Sequence, residues 1–220
     1  MGNPPKTEKE LLMLAKDLAG KTLESLAATL GFAVPPTLHR HKGWVGQLIE
    51  AYLGADAGNQ AKPDFVSLNI ELKTLPINAA GHPQESTYVC AIHRPSSQDS
   101  WRQSLVYQKL SQVLWVSFEA APSIAIAERR ILHSLLWRMS PQVEVILQRD
   151  WEELMETLTL GYGDTLSARQ GTYLQLRPKA ANSRIKSPYL TAEGGLTHIV
   201  PKGFYLRTQF TRQLLAGRLQ

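Results

Sequence analysis

Asp64, Glu71 and Lys73 combine residue types and spacing that suit phosphodiester hydrolysis. Successive side chains of a strand point to opposite faces, so a strand over 70–75 would present Glu71 and Lys73 on one side. A tight turn after a strand over 64–68 would bring Asp64 beside Glu71. Two adjacent carboxylates repel unless a cation separates them, and Mg²⁺ takes oxygen ligands while keeping several waters. The pattern predicts metal-dependent hydrolysis, with Lys73 orienting or deprotonating a bound water and neutralising the attacked phosphate.

The same residues also have a purely structural interpretation. Glu71 and Lys73 can form the wet face of an amphipathic strand, and Asp64 can be a turn residue, since short motifs of this kind arise by chance. Apolar Ile70 and Leu72 on the opposite face favour a rigid, half-buried strand instead. The net charge of +5 and the pI of about 9.3 favour a polyanionic partner. On the residues alone, neither interpretation prevails.

Glu50 is a fourth candidate, at the edge of the apolar face of a predicted helix that runs from about Gly43 to Gly54. Its spacing alone favours an ordinary solvated acid. The functional alternative is a group that supports the metal ligands or binds a second metal ion.

The elements that must position these residues follow a mixed α/β order. Caps at Thr7 and Thr22 predict two helices ahead of the third, with Leu14 on the apolar face of the first. Apolar runs predict strands over 87–93, 113–118, 173–176 and 203–206, the first of them central in its sheet, and a helix over 142–160. Thr211 is predicted to cap a last helix.

Composition sets the broad class. The 220 residues suit one domain or two small lobes, and no apolar run reaches the roughly 18 residues that span a bilayer. The start of the chain lacks a signal-peptide pattern, and the single cysteine, Cys90, fits a reducing cytosol as a small core residue. The segment 183–195 is the best candidate for a mobile loop.

An ordered series of motifs spans nearly the whole chain. They lie at 42–46, Glu50, 53–55, 64–65, 71–74, 109–110 followed by 113–115, 150–155, 176–182 and 203–206. In this order they resemble the MutH/Sau3AI family within the PD-(D/E)xK nuclease superfamily. The whole series is similar to the MutH branch, the methyl-directed mismatch-repair endonucleases, whereas the restriction enzyme Sau3AI shares the catalytic core only.

The resemblance implies a fold and an activity. It implies a restriction-endonuclease-like fold over residues 1–220, a central mixed sheet flanked by helices, with two lobes around a DNA cleft whose boundary the sequence does not assign. It implies a cytoplasmic, monomeric enzyme that uses Mg²⁺ or Mn²⁺. Such enzymes nick the unmethylated strand of hemimethylated GATC sites 5′ to the G. They are activated by MutL, itself engaged with MutS at a mismatch.

The resemblance also assigns the catalytic and metal-binding residues. Asp64 and Glu71 are the implied metal ligands, with the Leu72 carbonyl as a third, and Lys73 is the implied catalytic lysine. Glu50 matches a helix acid near the active site, which reverses the interpretation from spacing alone.

DNA contacts are implied for a second set of residues: Lys42, Lys109, Arg177, Pro178, Lys179 and Tyr205. Arg177 and Lys179 carry donors suited to guanine O6 and N7 or to phosphate, with Pro178 fixing the backbone between them. The resemblance implies that Tyr205 probes adenine methylation, whereas spacing alone favours an ordinary exposed strand tyrosine.

Several positions depart from the family pattern, at His41, 59–63, 95–101 and Gln108. They affect expected DNA contacts and leave the metal ligands intact. Two other functions stay open: a restriction endonuclease that cuts both strands of GATC, and a non-catalytic DNA-binding module.

Overall fold

The computed structural model describes residues 3–39, 41–58, 60–92, 100–162, 170–179, 187–190 and 195–219. The helices are α1 Glu8–Asp17, α2 Leu23–Leu30, α3 Trp44–Leu53, α4 Leu105–Leu110, α5 Pro141–Thr159 and α6 Thr208–Leu215. The strands are β1 Glu71–Ile77, β2 Thr87–Ala91, β3 Gln112–Glu119, β4 Ile131–Arg138, β5 Leu174–Pro178, β6 Ser187–Leu190, β7 Leu196–Ile199 and β8 Lys202–Leu206.

The chain divides into two compact units. The first comprises Met1–Gln84 and Lys109–Arg138, and the second comprises Glu85–Gln108 and Met139–Gln220. The expectation of a single domain with two lobes around a cleft stays a prediction.

The first unit holds a mixed sheet in the order β1-β3-β4. Strand β3 lies between a parallel partner, β1, and an antiparallel partner, β4, and its central six residues are buried. Helix α3 packs on β1 and helix α1 packs on β4, around a core that includes Leu11, Leu48 and Val116. The predicted mixed α/β class, with a sheet flanked by helices, is confirmed.

The first three helices begin and end close to the predicted residues. The Thr7 and Thr22 side chains accept hydrogen bonds from the backbone N–H groups of Glu10 and Ser25, as predicted for N-caps. Gly31 and Gly54 end α2 and α3 in the left-handed conformation. Leu14 is a correction, because its side chain is 37% exposed rather than in the core.

The predicted strand over 64–68 is wrong. A single antiparallel bridge joins Phe65 to Ile70, and Val66–Leu68 form one turn of 3-10 helix. Asn69 closes this turn in the left-handed conformation, with φ of 53°. Because both Phe65 and Ile70 are buried and only four residues separate them, the chain reverses without room for a second strand.

The second unit contains a sheet in the order β2-β8-β5, with both outer strands antiparallel to β8. Strand β2 is therefore an edge strand of this sheet, which corrects its predicted central place. Helix α5, predicted over 142–160, buries Leu147, Trp151, Leu154 and Leu158 along one face. Strands β6 and β7 form a separate antiparallel pair.

Two smaller expectations have clear outcomes. Thr211 lies inside α6 and is fully buried, so it does not cap that helix, whose N-cap is Arg207. Cys90 is a small buried core residue, as predicted. Most of 183–195, residues 95–99 and Asn59 lie outside the described residues. Among the described residues, no helix combines the length and apolar character needed to cross a membrane.

Candidate active site and nucleic-acid interface

Asp64 is fixed at the entrance to β1 by its own backbone and side chain. Its carbonyl oxygen accepts hydrogen bonds from the N–H groups of Asp56 and Ala57, at 3.0 and 3.2 Å. Its carboxylate Oδ2 accepts a hydrogen bond of 2.8 Å from the N–H of Leu72. The 3-10 turn thus does what a hairpin was expected to do, and places Asp64 against the strand that carries Glu71 and Lys73.

The Glu71 carboxylate is buried and bonded to two lysines. Lys73 donates to Oε1 at 2.8 Å. Lys109 donates to both oxygens, at 2.9 and 2.8 Å. Glu71 is 3% and Lys73 is 8% exposed, which excludes the wet face of an amphipathic strand. Lys109 reaches this carboxylate because it lies in the last turn of α4, just before β3, whose Val113 pairs with Glu71 in parallel register.

Burial and charge repulsion disfavour the ionised forms of the other two acids, Asp64 and Glu50. Burial raises the pKa of Asp64, and the charge of Glu71 raises it further. The hydrogen bond from the Leu72 N–H and the charges of Lys109 and Lys73 lower this pKa, but by less. Burial also raises the pKa of Glu50, followed by repulsion from Asp64 and Glu71. Glu50 is therefore part of this group rather than a solvated surface acid, and its carboxylate lies back along α3 toward Gly46.

The charges of the group bear on whether a metal ion fits it. Three acids and two lysines leave one net negative charge when all are ionised. A cation would relieve the repulsion that raises the pKa values of Asp64 and Glu50, and carboxylate and carbonyl oxygens are the donors that hard divalent ions take. The described residues contain no set of three or more Asp, Glu, His or Cys side chains arranged to hold a metal. The fit therefore depends on Asp64, Glu71 and the backbone carbonyl of Leu72.

A second group of candidate residues shares one face of the sheet in the second unit. Gln175 and Tyr88 both pair with Tyr205, and Arg177 pairs with Gly203, so their side chains lie on the same side. The Arg177 guanidinium lies 5.9 Å from the centroid of the Tyr205 ring and donates to the Ser86 hydroxyl. Arg177, Pro178 and Lys179 are all exposed at the end of β5.

Tyr88 is a member of this group that the sequence did not single out. Its ring meets the Tyr205 ring edge to face at a centroid distance of 5.2 Å, and the Lys179 ammonium lies 5.3 Å from its centroid. Burial raises the pKa of Tyr205, and Tyr88 adds to the effect while Arg177 and Lys179 oppose it. The Tyr205 hydroxyl is therefore a neutral donor at physiological pH.

Gly203 makes room for the Tyr88 ring. A Cβ at this position would lie 2.9 Å from the Cys90 carbonyl oxygen and 3.0 Å from Tyr88 Cε2. A Gly203→Ala variant is expected to lose about 1–3 kcal/mol of unfolding free energy, because the backbone contact cannot yield. Urea unfolding measures the loss, and Gly43→Ala is the control because a Cβ there meets nothing within 4 Å. Equal stability of the two variants would contradict the prediction.

Lys42 is exposed in the turn ahead of α3. Among the residues that the structure describes, no hydrogen bond or ion pair joins Lys42 to either group. The predicted catalytic residues therefore come together in the first unit, and Arg177, Pro178, Lys179 and Tyr205 come together in the second.

The mixed sheet, with the half-buried Asp64 beside the buried Glu71 and Lys73, defines a protein of the restriction-endonuclease-like class. A family model described as "DNA mismatch repair enzyme MutH" matches residues 53–150. A "DNA mismatch repair protein MutH" of Shewanella baltica is 48% identical over 213 residues, covering 96% of both chains. Its counterpart in Shewanella amazonensis is 49% identical over 215 residues, covering 96% of this chain and 95% of that protein. The chain therefore belongs to the MutH family of DNA mismatch repair enzymes.

Proposed function

We propose that this enzyme nicks the unmethylated strand of hemimethylated GATC sites, 5′ to the G, by magnesium-dependent hydrolysis. The observation that supports it most strongly is the buried Glu71 carboxylate, which binds two lysines beside the strained Asp64. A buried charge cluster of this kind costs folding free energy, so it favours a catalytic role over a purely structural one.

Asp64, Glu71 and the Leu72 carbonyl would hold Mg²⁺, with Mn²⁺ as an alternative. When bound, such an ion would lower the pKa of a water and add positive charge to the site. Lys73 would orient the attacking water and neutralise charge on the attacked phosphate, from a position fixed by its bond to Glu71. Lys109 contacts an oxygen of a DNA phosphate. Glu50 adds its negative charge beside the metal ligands Asp64 and Glu71 and so supports them.

In this proposal, sequence and methylation are read by the second group. Arg177 and Lys179 donate to guanine or phosphate, Pro178 fixes the strand between them, and Tyr205 probes the adenine for a methyl group. Lys42 contributes a further phosphate contact ahead of α3. The family resemblance supports activation by MutL engaged with MutS, a monomeric state and a place in the cytoplasm.

A nicking assay tests the proposal. Supercoiled plasmids with unmethylated, hemimethylated and fully methylated GATC sites are incubated with the enzyme, MutL and Mg²⁺. We expect open circles from the hemimethylated plasmid, cut in its unmethylated strand, and no product from the fully methylated one. Linear DNA as the main early product would instead indicate a restriction enzyme. A hemimethylated plasmid that stays supercoiled at high enzyme concentration would refute the proposed activity.

Replacing Arg177 with alanine is expected to cost about 1–3 kcal/mol of binding to a GATC duplex, because the guanidinium is preorganised by Ser86 and Tyr205. Fluorescence anisotropy in EDTA measures the loss separately from cleavage. The control is Arg212→Ala, which removes the same charge from an exposed position on α6. A loss that is equal for the two variants would mean that Arg177 contributes charge only.

A further inference from the structure

Asp150 is an unusual residue within α5, because its carboxylate is almost completely buried. The residue is 1% exposed, in the middle of a helix that otherwise buries apolar side chains. A buried carboxylate costs folding free energy unless hydrogen bonds compensate it. This side chain belongs neither to the group around Asp64 and Glu71 nor to the second group, which includes Arg177 and Lys179.

The compensation comes from three consecutive backbone N–H groups. Asp150 Oδ2 accepts hydrogen bonds from Thr172 at 2.8 Å, Tyr173 at 2.6 Å and Leu174 at 2.9 Å. The other oxygen, Oδ1, is buried and has no hydrogen-bond partner in the described part of the chain. The guanidinium of Arg149 lies 3.9 Å from it. The carboxylate therefore binds the loop before β5 through one oxygen.

Gly171 allows the loop to fold around the carboxylate. It has a φ of +81°, and a Cβ there would lie 1.9 Å from the Leu174 carbonyl oxygen and 3.4 Å from Asp150 Cγ. The loop is held from other sides as well. Arg149 donates to the Thr172 hydroxyl at 3.0 Å, and the Arg207 N–H donates to the Tyr173 carbonyl at 2.8 Å.

The residues that Asp150 binds, 172–174, lead directly into β5, which carries the exposed basic side chains. Leu174 begins β5 and is buried, as are the two residues after it, and Arg177 and Lys179 follow in the exposed part. A strand advances about 3.3 Å per residue, so Leu174 and Arg177 are separated by about 10 Å of rigid backbone. β5 is an edge strand of its sheet, and a slip of one residue would move Arg177 to the opposite face.

We propose that Asp150 is a positioning residue for DNA recognition, which fixes the register of β5 and thereby the placement of Arg177 and Lys179. The inference rests on the proposed function, in which these two side chains read the site. It makes Asp150 responsible for the choice of sequence and not for hydrolysis.

A measurement of specificity distinguishes this role from simple stabilisation. A residue that only stabilises the fold lowers the fraction of active enzyme, and so lowers kcat/KM equally for every DNA substrate. A residue that positions β5 lowers kcat/KM for the GATC site more than for a site with one base changed. The ratio of the two values is thus the informative quantity.

The variants are Asp150→Asn, which keeps one accepting oxygen without the charge, and Asp150→Glu, which keeps the charge on a longer side chain. Glu153→Gln is the matched control, since it neutralises an exposed acid on the same helix. Nicking is measured with MutL and Mg²⁺ on a hemimethylated GATC duplex and on a duplex in which one base pair of that site is changed. We expect the specificity ratio to fall about 10-fold or more in the Asp150 variants and to stay unchanged in the control.

The possible outcomes separate the two proposals. Folded Asp150 variants that keep the wild-type ratio would overturn the positioning role and leave the proposed function standing. A wild-type enzyme that does not prefer GATC would overturn both. If Asp150→Asn does not fold, Asp150→Glu decides the matter, and failure of both to fold would assign Asp150 to stability alone.

Discussion

Replacing Asp64 with asparagine is expected to abolish nicking and, in the absence of metal, to make the folded protein more stable at neutral pH. The amide oxygen can still accept the Leu72 N–H, while the charge that burial and Glu71 disfavour is removed. Loss of a proposed metal ligand should reduce the nicking rate at least about 100-fold. Plasmid nicking measures the first effect, and urea unfolding in EDTA measures the second.

The dependence of this stability gain on pH gives a further check. The pKa of Asp64 is raised in the folded protein, so its ionised form costs stability at every pH above that raised value. The cost disappears as the pH falls through the raised pKa toward the ordinary value. The advantage of Asp64→Asn should therefore be largest at neutral pH and shrink in acid. A variant that is less stable than wild type at neutral pH would contradict this account.

Replacing Glu71 with glutamine is expected to abolish nicking with the opposite effect on stability. The variant leaves the buried ammonium group of Lys73 and the half-buried one of Lys109 without their shared carboxylate. Breaking a buried ion pair by removing one partner costs about 3–5 kcal/mol. Urea unfolding in EDTA should therefore place Glu71→Gln below wild type and Asp64→Asn above it.

A double variant provides the control for Glu71. Adding Lys109→Met to Glu71→Gln removes one of the two stranded charges and should recover part of the lost stability without restoring nicking. Glu144→Gln neutralises an acid outside the proposed catalytic group and should leave nicking intact. Equal stability of Asp64→Asn and Glu71→Gln would mean that the two acids have similar electrostatic environments, contrary to the structure.

The elements that the sequence predicted well are those with strong local signals. Thr22 and Gly31 bracket α2 because capping chemistry acts within one turn of helix. Strand β4 was not predicted, because only Ile131 and Trp137 in it are buried and the residues between them do not alternate. The apolar run of β2 predicts a central strand, but its position at the edge depends on pairing with β8, more than 100 residues later in the chain.

The candidate site was predictable where neighbouring residues form it, and hidden where distant residues do. Glu71 and Lys73 lie two residues apart on one strand, and alternation alone places them together. The spacing around Glu50 favours a solvated surface acid, because no neighbouring residue indicates that α3 packs beside Asp64 and Glu71. The sequence does not indicate that Asp150 binds a loop, because its partners are backbone N–H groups more than 20 residues away.

The parallel pairing of β1 with β3 has a consequence for the order in which activity appears during folding. Lys109 is 38 residues from Glu71, and the chain between them includes β2 and the first segment of the second unit. Contacts across such long sequence separations form late, because the entropy of closing the loop must first be overcome. A nascent or partly unfolded chain therefore has Glu71 without its second ammonium group. On the proposed function, competence to cleave DNA thus requires this long-range pairing as well as the local strand that carries Glu71.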